Sequence, residues 1–352
     1  MANNDTDTKP DSCVGRNVKK QPRRSYIQRE INGIINIDKP YGLSSNQVLQ
    51  KVRAIYQAKK AGHTGNLDPL ATGVLPICLG HATKLSQLLL DSDKCYLAGV
   101  RLGISTTTGD KEGDFLGQEE STSHLKKKDI ETALSTFKGK QQQMPPMYSA
   151  LKYQGQPLYK LARQGIQVQR KSREIEIYDI ELIKFNLPEI IIKVCCSKGT
   201  YIRTLAEDLG SYFHFGAHLS SLRRIKSGIF TDEKIYTIDQ LNTFKQVSQS
   251  NDNQNQGVIE EKLDHLLLPM DSVILDYPKI ILDDIQSEDI KYGRQTSINS
   301  DRCCTETDLT TEQLFESEAY IRMYWQNATF IGLALLKKRN SEFVLQPKRL
   351  FI

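Results

Sequence analysis

The spacing of apolar residues along the chain predicts a mixture of helices and strands. After Ser44 or Ser45, either of which can cap a helix, apolar positions recur at helical intervals at Val48, Leu49, Val52, Ile55 and Tyr56. Alternating apolar positions predict a strand, with Tyr96, Ala98, Val100 and Leu102 on one face. Similar patterns predict strands at residues 34–37, 74–79, 174–185, 190–196 and 217–222, and helices at residues 83–90, 129–137, 157–163 and 200–209. This mixed order is typical of α+β or α/β proteins, and we expect an α+β fold with a mixed, mainly antiparallel sheet flanked by helices.

The 352 residues suffice for about two domains. Residues 1–30 are polar and basic, with too few apolar side chains for a core, and are expected to form a flexible basic tail. Residues 31–272 form the expected larger domain and residues 273–352 a small, mostly β unit, with a polar linker at residues 248–256. The strands expected in the second unit cover residues 320–325, 330–336 and 343–345.

Charge is distributed unevenly along the chain, although the net charge is only +5. From Gly139 to Arg173 there are seven basic residues and no Asp or Glu, with Tyr148, Tyr153 and Tyr159 among them. Basic side chains neutralise phosphates and tyrosine rings stack on unpaired bases, so the stretch favours RNA binding over an ordinary solvated helix face. No apolar run is long enough for a membrane span or a secretion signal, and we expect a soluble, cytoplasmic protein without membrane partners.

The seven cysteines do not indicate a disulfide framework or a zinc site, because their number is odd and no CxxC spacing occurs. Cys78, Cys95 and Cys195 are expected to be reduced thiols of the core. His214 and His218 have a separation seen in metal sites, but Gly216 lies between them and no HExxH motif surrounds them. We therefore expect no bound metal.

A glycine-rich loop around Asp68 is the first stretch with candidate chemistry. An Asp before Pro69 is commonly a turn former. However, flanking glycines allow close approach of a ligand, and His63 and Thr64 put hydrogen-bonding groups beside the carboxylate. A single carboxylate on such a loop can act as a nucleophile or a general base, provided that a cation keeps it ionised.

A second stretch, which runs from a strand through Gly199 into a helix, offers that cation. Tyr201 and Arg203 lie near the predicted N-terminus of the helix, where backbone amides favour negative charge. The spacing alone slightly favours a surface arginine and an ordinary core tyrosine over a functional pair.

Six segments in the same order resemble the TruB family of tRNA pseudouridine synthases. The most specific is His63-Thr-Gly-Asn-Leu-Asp-Pro-Leu-Ala-Thr-Gly73, and the resemblance spans residues 31 to about 230. The other five segments cover residues 33–45, 89–96, 146–153, 196–204 and 216–224.

The resemblance implies isomerisation of uridine to pseudouridine at position 55 in the T loop of tRNA, without cofactor or metal. Asp68 matches the essential aspartate, proposed to attack the ribose C1′ or the base, and Arg203 matches the arginine that pairs with it. Tyr201 matches a second active-site tyrosine that is a possible acceptor of the C5 proton, with water as the alternative. The matching substrate positions are His63, Tyr96 (which stacks on the flipped uracil), Tyr201, Leu222, Lys39 and Lys84.

The resemblance also implies an RNA-gripping insertion at about residues 144–172, a C-terminal PUA-like RNA-binding domain and a monomer that binds the T loop and T stem of tRNA. A non-catalytic tRNA-folding chaperone is the alternative, since it would explain the basic stretch and the C-terminal unit. It would not explain why Asp68, Tyr96, Tyr201 and Arg203 occur together.

Two other enzyme classes fit the sequence less well. An RNA-guided relative that modifies ribosomal RNA shares the aspartate loop, but the long insertion at about residues 144–172 fits the stand-alone tRNA type better. A glycoside hydrolase would need a second carboxylate, which no motif supplies.

Overall fold

The computed structural model describes residues 28–247, 262–298, 303–304, 319–326, 328–339 and 342–352. The expected tail falls outside them up to residue 27, as does the expected linker at residues 248–256. The helices are α1 (Ser45–Ile55), α2 (Ser86–Leu90), α3 (Lys127–Thr136), α4 (Leu158–Arg163), α5 (Ile202–Tyr212), α6 (Ile238–Val247) and α7 (Asp284–Lys291), with 3₁₀ turns at Gly80–Leu85 and Met270–Val273. No helix within these ranges is long and apolar enough to cross a membrane.

Strands β1 to β13 lie in the larger unit. They are β1 (Gly33–Lys39), β2 (Ala61–His63), β3 (Ala71–Leu79), β4 (Lys94–Leu102), β5 (Ser105–Thr106), β6 (Phe115–Leu116), β7 (Gly139–Gln143), β8 (Lys152–Tyr153), β9 (Gln156–Pro157), β10 (Arg173–Asn186), β11 (Glu189–Cys196), β12 (Ala217–Ser227) and β13 (Phe230–Thr231). Nine of them form one sheet in the order β1-β3-β12-β4-β11-β10-β7, with β2 beside β3 and β13 beside β12. Its described pairs are antiparallel except β3–β12, which confirms the expected α+β fold with a mainly antiparallel sheet.

The remaining strands form a smaller C-terminal sheet in the order β15-β19-β18-β17-β14-β16. These strands are β14 (Lys279–Leu282), β15 (Thr296–Ile298), β16 (Cys303–Cys304), β17 (Tyr320–Trp325), β18 (Phe330–Arg339) and β19 (Glu342–Leu350). This sheet has its own apolar core, and a separate apolar cluster of Leu85, Ile274, Leu333 and Phe351 joins it to the larger unit. The expectation of a mostly β C-terminal unit is confirmed.

Local sequence accounts for several helix boundaries. Ser44 caps α1, and its hydroxyl accepts the Gln47 N–H while the Gln47 side chain accepts the Ser44 N–H, which satisfies two amides that the first turn leaves free. The apolar face of α1 then packs against β1 and β3. The helix expected at residues 129–137 begins earlier, at Lys127, so Asp129 is not its cap but accepts the Lys126 N–H from inside the first turn at 2.8 Å.

Two other expectations from the sequence are also wrong. The polar composition of residues 110–124 predicts an exposed loop, but Asp110 and Thr122 within it are buried. Cys95 and Cys195 are not reduced thiols but form a disulfide, while Cys78 is free and buried as expected. Antiparallel pairing of β4 with β11 places the two bonded cysteines directly opposite each other, a register that the separate stretches of sequence did not reveal.

Candidate active site

The Asp68 loop is fixed on both sides of the carboxylate. It connects β2 to β3, and Lys39 at the end of β1 donates its ammonium to the Ala71 carbonyl at 2.5 Å. On the other side, the Ser45 hydroxyl accepts the Leu67 N–H at 2.8 Å. Because Lys39 has no exposed surface, we interpret it as a structural support of the loop, and its predicted contact with substrate stays a prediction.

Arg203 holds the Asp68 carboxylate from α5. Its guanidinium lies 3.0 Å from the Asp68 Oδ2 and 3.7 Å from the Asp110 Oδ2, and it donates to the Tyr148 carbonyl at 2.6 Å and the Thr108 carbonyl at 3.1 Å. The Arg203 side chain is 6% exposed, whereas that of Asp68 is 46% exposed. The arginine is therefore held at four points while the carboxylate remains accessible to a ligand.

Asp110 is a functional candidate that the sequence analysis missed. Its carboxylate accepts the Thr108 hydroxyl at 2.6 Å and the Glu112 N–H at 3.1 Å, and its Oδ2 lies 3.7 Å from the Arg203 guanidinium. The Thr-Gly-Asp run after β5 is typical of a turn, which is a signal for local structure and not for a site.

The surroundings of Asp68 act on its charge in opposite directions. Its recessed position in the protein raises the pKa of the carboxyl, and the positive charges of Arg203 and Lys39 lower it, while Asp110 raises it further. Burial also lowers the pKa of the Lys39 ammonium to about 8. Ionisation of Asp68 therefore depends on the arginine that contacts it.

A cleft of about 420 Å³ opens over Asp68, a volume within the usual range of roughly 300–1,000 Å³ for small-ligand sites. Tyr96 of β4 forms part of the wall and is buried, which raises the pKa of its hydroxyl to about 12 and keeps it neutral. Tyr201 precedes α5, where its backbone is bonded to the Gln143 side chain at 2.8 and 3.0 Å, and the Arg173 guanidinium lies 4.8 Å from its ring centre.

The cleft brings together five of the eight residues expected in the site. These are Asp68, Tyr96, Tyr201, Arg203 and Leu222. The lining also includes residues to which we gave no role, namely Lys94, Arg173 and Arg224.

None of the other three expected residues lines this cleft. Lys39 supports the Asp68 loop through its bond to the Ala71 carbonyl. His63 ends β2 half-buried, and burial together with the charge of Arg224 lowers the pKa of its imidazole, which favours the neutral form. Lys84 lies on the 3₁₀ turn before α2, donates to the Leu350 carbonyl and lies 5.7 Å from the Phe351 ring centre. Lys84 therefore contacts the C-terminal unit, and substrate roles for His63 and Lys84 stay predictions.

A second cleft, of about 750 Å³, shares Asp68 and Arg203 with the first. Tyr148, Tyr159 and Arg163, from the basic stretch that the sequence pattern associates with RNA, line its far side. Among the described residues, no three His, Cys, Asp or Glu side chains are grouped so that they could hold a metal ion.

The fold is similar to that of chains in two solved complexes. A chain in the crystal structure of a Cbf5-Nop10-Gar1 complex superposes with a TM-score of 0.67 over 91% of this chain and 85% of that one, at 24% identity. A chain in the archaeal box H/ACA sRNP Nop10-Cbf5 complex superposes with a TM-score of 0.64 over 91% and 86%, at 23% identity. These superpositions show that the chain shares the fold of the chains in those two complexes.

Sequence comparisons identify the family of the chain. Residues 53–202 match the model described as TruB family pseudouridylate synthase (N terminal domain), and residues 203–275 match the tRNA pseudouridylate synthase B C-terminal domain. The protein named tRNA pseudouridine synthase B from Yersinia pestis is 47% identical over 79% of this chain and 84% of its own length. Its namesake from Pectobacterium atrosepticum is 46% identical over 78% and 85%. The chain belongs to the TruB family, which confirms the resemblance seen in the sequence.

Proposed function

We propose that this protein converts uridine to pseudouridine at position 55 in the T loop of tRNA. The observation that carries the proposal is the Asp68 carboxylate, which is exposed in a cleft beside a buried arginine at 3.0 Å and two tyrosines. Similar relatives named tRNA pseudouridine synthase B support tRNA as the substrate. We include a cytoplasmic location in the proposal, since tRNA is used there.

The proposed chemistry is an isomerisation and needs no oxidant or reductant. The Asp68 carboxylate attacks the ribose C1′ or the uracil ring, and the bond from C1′ to N1 breaks with its electron pair left on uracil. The uracil rotates, C5 bonds to C1′, and the bond to Asp68 is released. The C5 proton passes to Tyr201 or to water, and N1 gains a proton. Arg203 keeps the Asp68 carboxyl ionised for the first step because its charge lowers the pKa of that group.

The target uridine must leave its stack to reach Asp68, which costs a few kcal/mol. In our proposal, Tyr96 offsets part of that cost by stacking on the flipped base, and Leu222 packs against the base from β12. The insertion at about residues 144–172 grips the RNA beside the second cleft. Its support is the position of Tyr148, Tyr159 and Arg163 on the wall that adjoins Asp68.

The C-terminal unit is proposed to be a PUA-like RNA-binding domain that extends the contact with tRNA. Basic residues occur along its last two strands, including Lys337, Lys338 and Lys348. The division at residue 272, the basic tail at residues 1–30, the monomeric state and the contact with the T stem are part of the same proposal.

The test uses an unmodified tRNA transcript with tritium at C5 of uridine. The wild type is expected to release tritium, and a transcript with cytidine at position 55 is expected to release none. Asp68→Asn should bind tRNA and release no tritium. Asp179→Asn is the matched control, since Asp179 forms an exposed ion pair with Lys138 at 3.1 Å, and should retain wild-type release. Binding without release by the wild type would instead support the chaperone.

A further inference from the structure

Arg224 of β12 is a fully buried cation in the wall of the Asp68 cleft. It is 1% exposed, its Nε donates to the Val74 carbonyl at 2.7 Å, and its Nη1 lies 3.2 Å from the position that a Cβ would take at Gly65. Its Nη2 is buried and has no hydrogen-bond partner among the described residues. A buried guanidinium normally has its donors satisfied, because an unpaired one loses hydration without compensation.

The charge of Arg224 is also uncompensated. None of the carboxylates in the described part of the chain lies within ion-pair distance of it. Its electrostatic neighbours are the basic groups of Lys39, Lys94 and His63 and the neutral hydroxyl of Tyr96, with which it interacts by a hydrogen bond that carries no opposite charge. Such an arrangement costs stability in the free protein, so packing alone does not explain it.

The lining of the cleft carries more positive charge than is needed to pair with the Asp68 carboxylate. Its lining contains one acidic side chain and four basic ones, which are Lys94, Arg173, Arg203 and Arg224. Arg203 is already paired with Asp68 and Asp110. The excess positive charge indicates that the cleft receives a negatively charged group, either on the substrate as it binds or on an intermediate of the reaction.

We propose that Arg224 is a positioning residue that stabilises negative charge on the uracil ring during isomerisation. Its positive charge acts on the base through the Tyr96 side chain, whose hydroxyl lies next to the guanidinium. The inference rests on the proposed function. Attack at C1′ leaves the glycosidic electron pair on uracil, and attack on the ring forms an enolate, so both routes place charge on the carbonyl oxygens of the base. A fixed cation in a water-poor wall stabilises such charge without reorganisation.

A phosphate group of the substrate is the other possible source of negative charge. A phosphate contact would contribute to binding before any chemistry, whereas charge on uracil exists only after the first bond changes. The burial of Arg224, next to Gly65 and to the Tyr96 hydroxyl, favours the base over the backbone of the RNA.

The experiment compares Arg224→Met, Arg224→Lys and the control Arg322→Met. Arg322 is likewise 2% exposed and next to a tyrosine, but it donates to two backbone carbonyls at 2.7 and 3.0 Å and to the Tyr324 hydroxyl at 3.1 Å. Single-turnover tritium release at saturating tRNA, tRNA affinity across a salt series and the urea midpoint are measured for each variant and for the wild type.

Arg224→Met is expected to lower the single-turnover rate on the order of 10²-fold, the loss typical of removing one preorganised donor, with unchanged tRNA affinity. Its urea midpoint should equal or exceed that of the wild type, whereas Arg322→Met should lower the midpoint and keep the rate. Arg224→Lys should recover part of the rate, because it restores the charge.

A wild-type rate in Arg224→Met, or a rate loss that follows a lowered midpoint and is not recovered by lysine, would overturn the inference. Weaker tRNA binding with a salt slope reduced by about 1 would overturn it as well, in favour of a phosphate contact. Lack of tritium release by the wild type would refute the proposed function itself. This outcome differs from those above, in which the wild type is active and only the inference about Arg224 fails.

Discussion

Replacing Arg203 tests whether its guanidinium keeps Asp68 ionised and in place. The guanidinium contacts two carboxylates, one of them that of Asp68, and two backbone carbonyls. Arg203→Gln removes the charge, and Arg203→Lys keeps it as a single ammonium that cannot reach all four acceptors. The wild-type guanidinium contacts Asp68 at 3.0 Å and Asp110 at 3.7 Å and bonds two carbonyls. We expect both variants to be slower, with glutamine worse than lysine.

The magnitude follows from the geometry of the pair. Two unit charges about 4 Å apart interact by roughly 4 kcal/mol at an effective dielectric constant near 20. The 46% exposure of the Asp68 side chain reduces this by solvent screening, toward the roughly 1.5–3 kcal/mol typical of a hydrogen bond to a charged group. At 1.36 kcal/mol per factor of ten, Arg203→Gln should slow the chemical step about 10- to 150-fold.

The assay is the single-turnover rate of tritium release as a function of pH. Asp68 must be ionised to attack, so activity falls as the pH drops through its pKa. Because Arg203 lowers that pKa, its loss should move the acid limb to higher pH. Arg223→Gln is the control, since Arg223 pairs with Asp38 at 3.0 Å outside the cleft. An Arg203→Gln enzyme with the wild-type rate and acid limb would refute the reasoning.

Three further predictions concern residues around and behind the site. Asp110→Asn removes a charge that raises the pKa of Asp68, so the acid limb of the same rate profile should move to lower pH, opposite to Arg203→Gln. Burial lowers the pKa of Lys39 from 10.5 to about 8, so the unfolded chain binds more protons between these values and the free energy of unfolding rises with pH there, by roughly 3 kcal/mol. Urea unfolding of Lys39→Met should lack that contribution, and an unchanged rise would contradict it. Cys95→Ser opens the bond to Cys195 and should lower the free energy of unfolding by about 2–4 kcal/mol without reductant, with no difference expected in its presence.

Local patterns in the sequence determined the element types and part of the site. The helical spacing after Ser44 and the alternation from Tyr96 to Leu102 depend on neighbours a few residues away, and both elements form where expected. Glycine-rich turns and a helix start made Asp68, Tyr201 and Arg203 candidates, because such places can face a ligand. Their roles were implied only by the resemblance to the TruB family, since the local patterns fit structural roles as well.

Tertiary structure alone decided which of these residues meet. Pairing of β12 with β3 and β4 sets Leu222 and Arg224 beside the Asp68 loop and Tyr96, and no local pattern encodes that register. The burial of Asp110 against Arg203, and the disulfide between Cys95 and Cys195, arise in the same way. The physical reason is that periodicity reports which face of an element is apolar, whereas charge pairing and strand register depend on chain segments far apart in sequence.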